Sequence, residues 1–270
     1  MKAFAKSTEH ICVLTGAGIS AESGIPTFRG PEGFWTVGSK EYHPQEMATY
    51  QMFMEQPDEV WRWYLYRMGI CQKAAPNAGH FALSEMETLF KDRFTLITQN
   101  VDGLHLLAGN TFRRTFQIHG NIFYMRCANG CTERVYPFPE RLSPKSKDDV
   151  LNENDRRLIR CPECGGLARP HVLWFDETYN ETHYRYVSSI ETARRTALLL
   201  TVGTSGATNL PNQVAREVKR YGGIIVDINV EENPFSRIAI SGKNGFFLKG
   251  PSGSILPVIQ EIFSMGVKEF

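Results

Sequence analysis

His10-Ile-Cys-Val-Leu-Thr15 runs directly into Gly16-Ala-Gly18-Ile-Ser-Ala21. The first six residues form an unbroken apolar run rich in β-formers, and the glycines that end it open a helical stretch near Gly18. A strand without polar alternation is buried on both faces, as in a parallel sheet covered by helices. The same pattern recurs at Phe94-Thr-Leu-Ile-Thr98, from Thr196 to Val202, and at Gly223-Ile-Ile-Val-Asp-Ile-Asn229. Helical patterns from Ala78 to Phe90 and from Pro211 to Tyr221 lie between them. Strands alternating with helices imply an α/β fold with a doubly wound parallel sheet. In that setting Gly16, Ala17, Gly18 and Ser20 belong to a G-x-G-x-x-A turn, which brings backbone N–H groups to a pyrophosphate. The acid that binds ribose in dehydrogenases is missing about twenty residues further on. Gly24-Ile-Pro-Thr-Phe-Arg29-Gly30 stands there instead, which disfavours a dehydrogenase.

The 270 residues allow one large domain with an insertion, at roughly 150 residues per domain. Hydrophobic residues make up 42% and the net charge is +1, so a sizeable core is affordable to the chain and bulk electrostatic binding of nucleic acid is not expected. The apolar run ending at Val202 is far shorter than the ~20 residues of a spanning helix. Glu9 and His10 interrupt any signal-peptide core, so the expected location is the cytoplasm, with reduced thiols.

Two regions break the alternation. Aromatics and methionines crowd the stretch from Pro31 to Pro76, where a helix begins near Pro57-Asp58-Glu59. The stretch from Cys127 to Trp174 holds Cys127-Ala-Asn-Gly-Cys131 and Cys161-Pro-Glu-Cys164. Two short-spaced pairs suit one tetrahedral, closed and therefore structural zinc site, the alternative being four buried thiols. Cys12 and Cys71 read as core residues, and Ser143-Pro-Lys-Ser-Lys-Asp-Asp149 as a solvated loop.

Polar residues gather where the strands end. Thr98-Gln-Asn-Val-Asp102-Gly-Leu-His105 closes one strand, Gly203-Thr-Ser205 a second and Asn229-Val-Glu231 a third. Ligands of open α/β sheets bind outside the carboxyl ends of the strands. His119, in Ile118-His119-Gly120, is either a turn residue or a general base suited to neutral pH.

These motifs occur together in the order found in sirtuins, and the chain resembles that family from about Ile11 to Pro257. The resemblance implies an NAD-dependent protein lysine deacylase, with a Rossmann-type domain built from residues 1–35, 77–126 and 176–270. Residues 36–76 would be a helical acyl-pocket segment and 127–175 a small module holding one structural zinc through Cys127, Cys131, Cys161 and Cys164. The acyl oxygen attacks C1′ of the nicotinamide ribose, nicotinamide leaves, and His119 serves as base on a ribose hydroxyl. Free lysine and acyl-ADP-ribose are the products. The implied catalytic residues are His119 and Asn100. NAD contacts fall to Gly16, Ala17, Gly18, Ser20, Phe28, Arg29, Gln99, Asn100, Asp102, Gly203, Thr204, Ser205, Asn229, Glu231 and Ser252.

Within the resemblance, Tyr64-x-x-Arg67 matches class III sirtuins, whose pocket takes malonyl, succinyl or glutaryl lysine. Residues three apart share one helix face, where a phenol and a guanidinium can hold a carboxylate. Ala48 matches the small residue that widens that pocket, and Leu173 and Phe175 fall in the strand that pairs with the substrate peptide. Asp176 stands where the family has glycine, which predicts an altered peptide register or a preference for basic flanks. An NAD glycohydrolase or ADP-ribosyltransferase using the same site is the alternative activity. The expected partners are acyl-lysine proteins, with no membrane and no direct nucleic-acid contact. Nothing in the sequence sets an oligomeric state.

Overall fold

In chain order the strands are β1 (His10–Thr15), β2 (Trp35–Val37), β3 (Lys40–Tyr42), β4 (Phe94–Thr98), β5 (Thr115–Gln117), β6 (Gly120–Cys127), β7 (Val135–Pro137), β8 (Ala168–Val172), β9 (Thr196–Val202), β10 (Ile224–Asn229) and β11 (Phe246–Lys249). The structure, a computed structural model, describes residues 1–26, 35–37, 40–242 and 244–268. Six strands form one sheet in the order β11-β10-β9-β1-β4-β5, with every pairing parallel. The first strand is therefore central. The chain winds outward through β4 and β5, then crosses to build β9, β10 and β11 on the other side. That reversal opens a crevice at the carboxyl ends of β1 and β9.

Alternation along β1 explains why the sheet is covered twice. Ile11 and Val13 pack with Leu83, Met86, Leu256, Ile259 and Phe263 from the helices Ala78–Phe90 and Ser252–Lys268. Cys12 and Leu14 pack the opposite way, with Ala193, Val214, Val218 and Phe235 from the helices Tyr186–Arg195, Asn209–Arg220 and Pro234–Ile240. Each fully buried aliphatic side chain of this kind contributes about 1.5–3 kcal/mol. The helix read from Pro211 begins at Asn209, because a proline in the first turn has no intrahelical N–H to lose.

A third core joins the regions that broke the alternation. Trp61, Trp63, Leu65 and Met68 of the helix Pro57–Lys73 pack against Ile122, Met125, Leu142, Ile159 and Trp174. Trp61 also donates its indole N–H to the Ala168 carbonyl at 3.0 Å. Those partners belong to or flank a three-stranded antiparallel sheet, β7-β6-β8. Its central strand starts at Gly120, where φ is +84° and a Cβ would lie 2.1 Å from the His171 carbonyl oxygen. Only glycine lets β6 and β8 meet directly after His119.

The charged run 143–149 is the solvated loop its composition suggests, every residue of it exposed except Lys145. Lys145 pairs with Asp155 at 2.7 Å with both side chains largely buried, and Pro144 lies against Gly69 of the helix Pro57–Lys73. The burial of Lys145 and Asp155 is tolerated because the two charges are paired. Among the described residues, no helix is long and apolar enough to cross a membrane.

Candidate active site

The crevice between β1 and β9 is closed by two loops in backbone contact. Gly16 N–H donates to the Val202 carbonyl at 2.9 Å and Gly18 N–H to the Gly203 carbonyl at 2.8 Å. A Cβ on Gly18 would meet Gly203 Cα at 2.6 Å, and one on Gly16 would meet Thr204 at 2.8 Å. The requirement for glycine at these positions thus arises from loop packing. Gly203 itself has a φ of +57°. Ala17 begins the short helix Ala17–Ala21, which directs Ser20 inward.

Ser20 is the hub of a buried polar network. Its hydroxyl donates to Asp102 at 2.7 Å and accepts from the Asn100 side-chain amide at 3.0 Å. His80 completes the set at 3.4 Å through Nε2. Asn77 N–H donates to His80 Nδ1, so Nε2 carries the proton and donates to Ser20. One donor and two acceptor sites of a hydroxyl are then all used. Asn100 also donates to the Gly16 carbonyl at 3.1 Å. Burial pushes the Asp102 carboxyl above the usual range, against the Leu104 N–H and the Ser20 hydroxyl. Gln99 bridges the strands, donating to Thr204 at 2.8 Å and accepting from Thr208 at 2.7 Å.

His119 lies beside this network. Its Nδ1 is 3.0 Å from the Gln99 carbonyl, which can only accept, so Nδ1 carries the proton. Nε2 is left with its lone pair and accepts from the Tyr179 hydroxyl at 2.8 Å. Burial lowers the imidazole pKa to about 4, with the Gln99 carbonyl working the other way. The resting ring is therefore neutral, the form a general base requires. The His119 carbonyl accepts from Leu173 N–H at 3.0 Å, which ties β8's exit to the site.

The acyl-pocket candidates converge on that exit. Phe175 is exposed, and its N–H donates to the Ala48 carbonyl at 2.9 Å. The Trp174 indole N–H donates to the Tyr64 hydroxyl at 2.9 Å. Tyr64 and Arg67 are 2% and 8% exposed, with the Arg67 guanidinium 5.4 Å from the Trp63 ring centre. Burial disfavours the Arg67 cation and lowers its pKa, with Cys71 and Tyr64 opposing. Asp176 has a local task of its own. Its carboxylate accepts from Tyr50 N–H at 2.8 Å and Gln51 N–H at 3.1 Å, at the start of the helix Tyr50–Glu55. A negative charge is favoured there because those first amides have no partner within the helix.

Cys127, Cys131, Cys161 and Cys164 bring their sulfurs within 4.8 Å of one another. The Cys127–Cys164 and Cys131–Cys161 separations are 3.7 and 3.6 Å. Ligand bonds of about 2.3 Å in a tetrahedron put sulfurs roughly 3.8 Å apart, so the four thiols fit one structural zinc.

The remaining candidates line the outer part of the crevice. Asn229 donates to the Thr204 carbonyl at 2.9 Å, and Ser205 and Glu231 are exposed. The Ser252 hydroxyl and the Gly253 N–H both donate to the Glu22 carboxylate, at 2.8 and 2.9 Å, at the start of the helix Ser252–Lys268. Phe28 and Arg29 lie outside the described residues. Tyr179, Thr208, His80 and Glu22 are the site-forming residues that sequence reading missed, since none stands in a motif. An open groove of about 610 Å³, lined by Arg216, Lys219, Arg220 and Arg237 among others, contains no residue of this site.

A model of the Sir2 family matches residues 16–209. An NAD-dependent protein deacylase of Leptospira interrogans is 41% identical over 94% of this chain and 93% of its own. The NAD-dependent protein deacylase sirtuin-5, mitochondrial, of Canis lupus familiaris is 37% identical over 95% and 82%. The crystal structure of a Sir2 homolog–NAD complex superposes with a TM-score of 0.80 at 31% identity, over 99% of this chain and 95% of that one.

Proposed function

The chain belongs to the Sir2 family, and from that premise we propose that it uses NAD to remove acyl groups from protein lysines, succinyl and malonyl as well as acetyl. The observation that carries this reading is the meeting of three features at one place. Ser20 hydrogen-bonds to Asn100 and Asp102, the His119 ring bonds to the carbonyl of Gln99, next to Asn100 in the chain, and the His119 carbonyl bonds to Leu173 at the β8 exit that also bears Phe175. NAD supplies an electrophilic ribose carbon and nicotinamide as leaving group.

This chain's residues do the rest. Asn100 and Asp102 orient the nicotinamide amide, and Gln99 supports the ribose hydroxyls. Gly16, Ala17, Gly18, Ser20 and Arg29 serve the phosphate side, with Phe28 covering the site once nicotinamide has gone. Gly203, Thr204, Ser205, Asn229, Glu231 and Ser252 hold the adenosine half. His119 takes the proton of a ribose hydroxyl at Nε2, and that oxygen captures the acyl carbon. Leu173 and Phe175 present backbone groups to the substrate peptide, while Ala48 leaves room for the acyl chain and Tyr64 and Arg67 hold its carboxylate. Residues 1–35, 77–126 and 176–270 carry the nucleotide, 36–76 the acyl pocket and 127–175 the zinc. Four thiolates on one metal suit a reducing compartment, which supports a cytoplasmic location.

Mass spectrometry of matched acetyl-lysine and succinyl-lysine peptides, with and without NAD, tests the reading. NAD-dependent loss of both groups with acyl-ADP-ribose formed, and no turnover by His119→Ala, is the expected result. Nicotinamide release without acyl loss would replace deacylation by NAD hydrolysis or ADP-ribosyl transfer. Wild-type turnover by His119→Ala would remove that residue from the base role.

A further inference from the structure

We propose that Tyr179 is a positioning residue that occupies the lone pair of the His119 base until a ribose hydroxyl replaces it. The proposal rests on the reading of His119 as the base. An imidazole with Nδ1 protonated has one lone pair, in the ring plane at Nε2, and it accepts one good hydrogen bond. Tyr179 holds that position at 2.8 Å, with the two ring centres 5.9 Å apart. A ribose hydroxyl that gives its proton to Nε2 needs the same lone pair, so the phenol and the hydroxyl compete for it.

The surroundings suit such an exchange. Tyr179 lies in a segment fixed on both sides. Asp176 bonds to the start of the helix Tyr50–Glu55, and Glu177 pairs with Arg169 and accepts from Trp174 N–H. Asn180 caps the helix Glu181–Tyr184 through His183 N–H. Thr178 and Tyr179 are the links between these anchors, so the phenol can change partner without moving β8. When displaced it has polar company in Thr208, which also donates to Gln99. Among the described residues, the groups that face His119 are the Gln99 carbonyl on the β4 side and the Tyr179 phenol on the β8 side, and no charged side chain of theirs contributes to its titration. Burial raises the Tyr179 pKa above that of an ordinary phenol, which disfavours passing the proton through a phenolate.

The phenol donates to the neutral imidazole, so it lowers the basicity of His119 and its removal raises it. Tyr179→Phe keeps the ring and removes the hydroxyl. One neutral hydrogen bond corresponds to about two- to tenfold. The expected results are a two- to tenfold rise in kcat/KM for NAD and a shift of its acid limb to higher pH by up to about one unit. The His119 ring resonances of the ligand-free protein move their midpoint upward by the same amount, and Tyr179→Leu repeats the shift. A hundredfold fall in kcat with the acid limb in place would make Tyr179 a proton relay and overturn the proposal. An unmoved His119 midpoint in both variants would also overturn it. The NMR titration reads the contact without turnover, so it separates failure of this proposal from failure of the deacylase reading.

Discussion

On the proposed reading of the pocket, replacing Arg67 by methionine is expected to separate acyl specificity from the core chemistry. Arg67 is 8% exposed and three residues from Tyr64 on the same buried helix face. Its cation is penalised by burial, so an anionic acyl tail that enters the pocket restores to the guanidinium what desolvation took away. A charge-assisted hydrogen bond of this kind contributes about 1.5–3 kcal/mol, which corresponds to roughly ten- to hundredfold in rate. Methionine keeps an unbranched chain beside Trp63 and introduces no buried charge, so the helix Pro57–Lys73 retains its packing. The assay is kcat/KM on succinyl-lysine and acetyl-lysine versions of one peptide, followed by mass spectrometry at saturating NAD. Arg67→Met is expected to lower desuccinylation ten- to hundredfold and deacetylation by less than about threefold. Equal losses on both peptides, or full desuccinylation, would refute the assignment of the pocket.

Three further outcomes are expected. Chelation, or Cys161→Ser, releases one zinc per chain by atomic emission and lowers the melting temperature, because the β7-β6-β8 sheet loses the metal fitted by its four thiols. Asp176→Ala leaves two helix-start amides without their acceptor and costs about 0.5–2 kcal/mol in urea unfolding, while Asp176→Asn recovers part of it. Acidification from pH 7 to 5 lowers the unfolding free energy. Burial holds His80 near 4 and His171 near 3, whereas in the unfolded chain both sit near 6.5. Below 6.5 the unfolded chain therefore binds more protons, and stability falls by up to about 1.4 kcal/mol per pH unit for each histidine until its folded value is reached. A flat profile over that window would contradict the buried, neutral assignment.

The central strands were legible because a strand covered on both faces must be apolar throughout. β1, β4, β9 and β10 each announce themselves that way. β5 and β11 do not, since they are short edge strands and the latter is half exposed. The helix Ser252–Lys268 was hidden by Gly250-Pro-Ser-Gly253 and by Pro257 within it, residues that read as a turn. At the site, contiguous motifs such as Thr98 to His105 carry their own signal. Tyr179, Thr208 and Glu22 are ordinary residue types whose roles arise when distant segments meet. The run 143–149 is the exposed loop it reads as, and only the burial of Lys145 carried no signal, because its partner is at Asp155.

The placement of β1 at the middle of the sheet has a consequence for the chain during its synthesis. β1 pairs on one side with β4 but on the other with β9, whose first residue is Thr196. At about 5–20 residues per second, the ribosome takes roughly 10–40 s to make the intervening chain. Through that interval one edge of β1, buried at every residue after His10, lacks its neighbour. Both cysteine pairs, the last at Cys164, are made before β9. The metal module can thus fold first, and the nucleotide crevice, which needs β1 and β9 side by side, forms late.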